Sequence, residues 1–185
     1  MRVGLFGGTF CPPHNGHVAA LAAAWETGWF DQLLVPVAND PYHKDGGDLL
    51  PAAARLAMAH AAFDDLDGVV VTDREIVRGG PTYTIDTVRE LVAEGHRVTV
   101  IVGADAAAGI DGWHDAADLV GLATIAVVPR PGCATTVGRR WRSVEIPMDP
   151  VDLSSTHIRH DSLTPAELEA SIPAAALPIF LQHRG

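Results

Sequence analysis

Short apolar runs recur along the chain at residues 2–6, 33–37, 69–72, 98–102 and 124–128. They are brief, rich in Val, Leu and Ile, and show little polar alternation, the pattern of strands covered on both faces. Between them lie longer stretches with helical character, at 16–27, 51–63, 83–94 and 114–120. Pro51 suits a first helical position, and Thr82 or Thr84 is placed to cap the helix that begins near Ile85. Segments 38–47 and 129–140 carry Gly, Pro and polar residues and read as loops. Beyond residue 150 the pattern changes. Ser154-Ser155-Thr156 reads as a helix start, and Thr164 with Glu167 forms a second one with a capping box. Pro173 and Pro178 bracket a last short helical segment. Strand–helix alternation predicts a doubly wound, Rossmann-like α/β fold, with a parallel sheet and helices on both faces. One domain over 1–185, ending in a small helical part, is expected.

Composition narrows the class. Thirteen basic residues face 23 acidic ones, for a formal net charge of -10, so the Lys/Arg excess that holds nucleic acid is missing. No apolar run reaches the roughly 18 residues of a membrane span, and the opening residues lack the pattern of a signal peptide. A cytoplasmic protein with small-molecule partners is expected, with neither nucleic acid nor membrane among them; a homo-oligomer is compatible with the sequence. Cys11 and Cys133 are too few for a disulfide framework.

The candidate chemistry sits after the first strand, in Gly4-Leu5-Phe6-Gly7-Gly8-Thr9-Phe10-Cys11-Pro12-Pro13-His14-Asn15-Gly16-His17. Neither the P-loop nor the dinucleotide-binding glycine fingerprint is present. Instead, an apolar run ends in two glycines, and two histidines three residues apart open a helix. Residues at that spacing share a face, and a helix N-terminus presents unpaired N–H groups to an anion. Three readings stand: a polar helix cap, a zinc site using Cys11, His14 and His17, and stabilisation of a phosphate during group transfer. No further ligands complete a metal quartet, so no resident metal is expected.

His14-Asn15-Gly16-His17 near the start and Ser154-Ser155-Thr156-His157-Ile158-Arg159 near the end resemble the paired signatures of the nucleotidylyltransferase superfamily. The likeness extends to the bacterial nicotinate-mononucleotide adenylyltransferases. Gly7-Gly8-Thr9-Phe10 with Pro12-Pro13-His14, Pro41-Tyr42-His43-Lys44, Arg55-Leu56-Ala57-Met58, and Gly80-Pro81-Thr82-Tyr83-Thr84-Ile85-Asp86-Thr87 follow that family's order. So do Gly103-Ala104-Asp105, Trp113 and Val127-Val128-Pro129-Arg130-Pro131-Gly132.

The resemblance implies transfer of AMP from ATP, with Mg2+, to nicotinate mononucleotide. It assigns His14, His17 and Arg159 to catalysis, and Gly7, Gly8, Thr9, Phe10, Gly16, Gly103, Asp105, Ser154, Ser155 and Thr156 to ATP. Lys44, Tyr83, Thr84, Trp113 and Arg130 fall to the acceptor, Arg130 being open also to serving the nucleotide or its own loop. Cys11 stands where the family usually has Asp, Tyr42 where a proline is common, and Gly109-Ile110-Asp111-Gly112 is less apolar than usual. These departures lie near the acceptor side or in the outer shell. Alternatives are another acceptor, such as nicotinamide mononucleotide or phosphopantetheine, or a silent nucleotide-binding sensor.

Overall fold

A computed structural model describes residues 1–41 and 49–184. Its centre is a parallel sheet built from β1 (Arg2–Leu5), β2 (Gln32–Pro36), β4 (Val69–Thr72), β6 (Arg97–Gly103), β7 (Ala123–Val128) and β8 (Ser143–Glu145), in the order β4-β2-β1-β6-β7-β8. Two short strands, β3 (Asp40–Pro41) and β5 (Pro81–Thr82), pair beside it, also in parallel. Alternate residues of each central strand enter different cores. Val3, Leu5, Val98, Val100, Val102, Ile125 and Val127 pack with α4 (Thr84–Ala93), α5 (Ala104–Ala107) and α6 (Ala116–Leu122). Phe6, Leu33, Val35, Val37, Ile101, Ala126 and Val128 pack with α1 (Asn15–Glu26) and α2 (Ala52–Phe63). Both faces of the central strands are therefore covered, which is why those strands are mainly apolar. The doubly wound reading stands.

The remaining helices are short: α3 (Arg74–Arg78), α7 (Ser155–His160), α8 (Pro165–Ser171) and α9 (Leu177–His183), with a 3-10 turn at Ile110–Gly112. The last three close over α2 in a third cluster, where Met58 meets Ile158, Leu168, Ile172, Ala176 and Phe180. Thr164 and Glu167 do form the capping box, each bonding the other's backbone N–H.

Several local expectations are corrected. Pro51 is the cap rather than the first residue of α2, with its carbonyl taking the Arg55 N–H. Tyr83 caps α4, without a side-chain bond; the Thr82 hydroxyl is drawn to the neighbouring strand, where it accepts the Asn39 N–H at 3.0 Å. Pro178 lies inside the first turn of α9, where its missing N–H costs nothing. Part of the 38–47 loop, Asp40–Pro41, is strand β3; Lys44, Tyr42 and His43 lie outside the described residues. β8 escaped notice because Ser143-Val144-Glu145 is an exposed edge strand with no buried face.

Met58 is fully buried and joins the C-terminal helices to α2. Met58→Ala should destabilise the protein by about 2–5 kcal/mol, read as a lower urea midpoint. An unchanged midpoint would show that the third cluster holds without it.

Candidate active site

In an open parallel sheet, ligands bind beyond the carboxyl ends of the strands where the strand order reverses. Here the reversal falls between β1 and β6. A cleft of about 470 Å³ opens there. Gly7, Gly8, Thr9, Phe10, His14, Gly16 and His17 line one side, Gly103, Asp105 and Arg130 another, and Ser154, Ser155 and Thr156 a third. Pro41, Thr82, Thr84 and Trp113 lie on the same cleft. Arg159 and Tyr83 do not line it.

The loop leaving β1 is buried from Thr9 to His14, so its backbone groups need partners inside the protein. Phe10 adopts a left-handed backbone (φ 48) and turns its ring back over Gly8, where a Cβ would stand 2.7 Å from the ring. That close approach requires the second glycine; at Gly7 a Cβ would make only ordinary contact with Pro36. The Phe10 ring then meets the edges of His17 and Phe63, at centroid distances of 5.2 and 5.3 Å.

His14 caps α1 with an extended backbone. Its imidazole is 4% exposed and stacks on His17, centroids 3.6 Å apart. The His14 N–H donates to His17 Nδ1 at 3.1 Å, which places the proton of a neutral His17 on Nε2. Gly16 makes room for this pair, since a Cβ there would lie 3.0 Å from His14 Nδ1. Cys11 is fully buried and its sulfur accepts the Leu50 N–H at 3.5 Å. Among the described residues no three His, Cys, Asp or Glu side chains gather as a metal site, so the zinc reading of Cys11, His14 and His17 finds no support.

Across the cleft, the Ser154 hydroxyl caps α7 by accepting the His157 N–H. The Ser155 hydroxyl donates to the Pro12 carbonyl at 2.8 Å. Arg159 donates to the carbonyls of Cys11 and Ser155. α7 is thus fastened onto the loop after β1. Arg130 stands with Asp105, 3.9 Å away, and donates to the Leu153 carbonyl at 2.8 Å, holding the segment that leads into α7.

At the aromatic end, Tyr83 stacks on His114 with centroids 4.1 Å apart, and Trp113 packs beside it against the core. The turn before Trp113 is less apolar for a reason. Ile110 enters the core, while Asp111 accepts bonds from Trp141 Nε1 and Arg140 Nε, at 2.8 and 2.7 Å. Those bonds hold its carboxyl below the ordinary range. Arg89 of α4 grips Asp115 and Asp118 at the start of α6. The sequence gives no sign of the Tyr83–His114 stack, because the two rings lie 31 positions apart in the chain.

Glu75 was missed as well. It lines the cleft, is 4% exposed, and accepts the Thr87 hydroxyl at 2.6 Å. Arg78 donates to the same hydroxyl and to Glu90, which Arg74 also meets. Burial pushes the Glu75 carboxyl up despite the Thr87 bond and the arginines. α3 is too short to show a periodicity that would mark it.

The Cytidylyltransferase-like family model matches residues 5–161, which makes the chain a nucleotidyltransferase of that kind. A probable nicotinate-nucleotide adenylyltransferase of Albidiferax ferrireducens is 40% identical over 158 residues, 84% of this chain and 74% of that one. Another, from Chromobacterium violaceum, is 31% identical across 99% of this chain and 97% of its own. With them, the chain belongs to the nicotinate-nucleotide adenylyltransferase family. Its fold is also that of the Plasmodium falciparum nicotinic acid mononucleotide adenylyltransferase solved with NaAD. That match has a TM-score of 0.79 over 98% of this chain and 95% of the other, at 14% identity.

Gly8→Ala should push the Phe10 ring off its seat and shift His17, lowering kcat by roughly 10- to 100-fold; wild-type turnover would refute this coupling. A second prediction concerns acidity. Because the folded state raises the Glu75 pKa, native protein binds more protons than unfolded protein above the ordinary value of 4.5. Stability then falls as pH rises through that window. Glu75→Gln keeps an acceptor for Thr87 without the charge. Its melting temperature should exceed wild type increasingly from pH 4.5 upwards, and a pH-independent gap would contradict the assignment.

Proposed function

We propose that the protein transfers the adenylyl group of ATP to the phosphate of nicotinate mononucleotide, yielding nicotinate adenine dinucleotide and pyrophosphate. The observation that carries this reading is the stacked His14–His17 pair at the start of α1, facing Ser154–Thr156 across the switch-point cleft. An acceptor phosphate oxygen forms a bond to the α-phosphorus of ATP while the bond from that phosphorus to the bridging β-oxygen breaks, and pyrophosphate leaves. The attacking phosphate is already anionic at neutral pH, so the protein's work is alignment and charge stabilisation.

His17 donates from Nε2 to an α-phosphate oxygen, and its bond from the His14 N–H keeps that proton in place. His14 supports the same oxygens from the helix start. Gly7, Gly8, Thr9, Phe10 and Gly16 border the adenylyl group. Ser154, Ser155, Thr156 and Arg159 hold the β- and γ-phosphates, Arg159 by exchanging the Cys11 carbonyl for an anionic oxygen that its planar fork fits better. Gly103 and Asp105 serve the ribose side, with Arg130 beside them. Tyr83, Thr84 and Trp113 receive the pyridine ring, and Lys44 its phosphate.

Magnesium keeps several of its waters and binds through substrate phosphates with one or two carboxylates. The donor set suits an ion carried in with ATP, for which Asp105 would offer an exposed carboxylate; such an ion would supply positive charge against the departing pyrophosphate.

The direct test is pyrophosphate release from ATP and Mg2+ with nicotinate mononucleotide, nicotinamide mononucleotide and phosphopantetheine in parallel. Release with the first and a dinucleotide of the expected mass is the predicted result. Release with only another acceptor would move the protein to a sister activity, and silence with all three would end the proposal. His17→Ala should cost about 2.7–4 kcal/mol, or 10²–10³-fold in kcat. Near-wild-type turnover would remove His17 from the mechanism.

A further inference from the structure

Arg55, on α2, is 2% exposed. A guanidinium so placed is costly unless its charge and its donors are met. Four backbone carbonyls meet them. Nε donates to Leu50 at 2.9 Å, Nη1 to Thr9 at 3.1 Å and to Ala38 at 2.6 Å, and Nη2 to Asn39 at 2.9 Å. None of the ion pairs among the described residues includes Arg55, and burial lowers its pKa from the ordinary value.

The carbonyls belong to three segments, of which the first two are also joined beside the clamp by the Gly8 N–H to Pro36 and the Ala38 N–H to Gly8. Thr9 lies in the loop between β1 and the histidines. Ala38 and Asn39 follow β2. From there Asn39 reaches the far end of the cleft: its side chain donates to the Gly80 carbonyl, and its backbone N–H to the Thr82 hydroxyl, both at 3.0 Å. Leu50 leads into α2, and its N–H bonds the Cys11 sulfur. One rigid, planar cation therefore spans the wall that carries His14 and His17 and the wall that carries Thr82 and Thr84.

We propose that Arg55 is a positioning residue for adenylyl transfer, fixing the register between the nucleotide wall and the acceptor wall of the cleft. This rests on the adenylyltransferase reading above. Each substrate touches mainly its own wall, so each binds without the clamp. The in-line approach of the acceptor phosphate to the α-phosphorus depends on both walls at once, and small misplacements there are expensive in rate. A lysine restores charge but not the fork that reaches several carbonyls together.

The test uses the full-length Arg55→Lys, Arg55→Met and Asn39→Ala variants. For each, melting temperature is measured, calorimetry gives the separate affinities for nicotinate mononucleotide and for ATP, and kcat is taken at saturating substrates. Arg55→Lys should keep both affinities within about threefold of wild type while kcat falls by about tenfold or more. Asn39→Ala, which cuts the link from the clamp to Gly80, should lower kcat severalfold with Arg55 intact. A purely structural Arg55 would lower melting temperature and leave the kcat of the folded protein unchanged, and that result overturns the proposal. Should neither Arg55 variant fold, Asn39→Ala decides: full kcat in that protein is equally fatal. Wild-type protein inactive with nicotinate mononucleotide would sink the parent reading and this one together, whereas active wild type with unimpaired variants sinks only the clamp.

Discussion

A buried irregular loop must find hydrogen-bond partners for its backbone, and most of this site follows from how the loop after β1 does so. Two consecutive prolines remove donors from it, and its position between sheet and helices keeps water away. Its carbonyls are answered by side chains from distant parts of the chain: Thr9 by Arg55 of α2, Cys11 by Arg159 of α7, Pro12 by Ser155 of α7. Unmet, such groups would cost roughly 1–3 kcal/mol each. Of the groups that answer the loop, Ser155 itself lines the cleft, while Arg55 and Arg159 hold the loop without lining it. The same bonds that complete the fold also gather the residues of the site.

The sheet decides where this happens. With β1 and β6 adjacent and the crossovers running to opposite faces, the strand ends leave a crevice that no helix fills. The loop after β1 and the Gly103–Asp105 turn after β6 become its floor. The C-terminal helices supply the third side, carried there by the packing of Ile158 and Phe180 on Met58. Asn15, inside the His-Asn-Gly-His stretch, donates to the Ala170 carbonyl of α8 at 2.8 Å, so the start of α1 is tied to the end of the chain as well.

What the sequence made legible was whatever repeats locally. Five of the six central strands announce themselves because burial leaves few polar positions in them, and the Thr164–Glu167 cap needs only four residues. The paired signatures around His17 and Ser155 were likewise readable. Arg55, Glu75 and His114 were not assigned roles, since each acquires its meaning from partners far away in sequence: Thr9 and Ala38, Thr87, and Tyr83. Gly8 shows a subtler limit. The resemblance assigns it to ATP, and only the folded geometry adds that a side chain there would collide with the Phe10 ring. Arg159 is assigned by the resemblance to catalysis, and only the folded geometry shows its bond to the Cys11 carbonyl.

The cleft also has two sides bound together by different chemistry. Around Arg55 a permanent cation is held by neutral dipoles, and neither partner exchanges a proton at any pH at which the protein would work. Around Glu75 the cohesion comes from a buried carboxyl, a hydroxyl and a chain of arginines and glutamates. That network changes character with its protons. A shift in acidity therefore falls unevenly on the molecule, leaving the Arg55 clamp untouched while it retunes the support beneath Thr84.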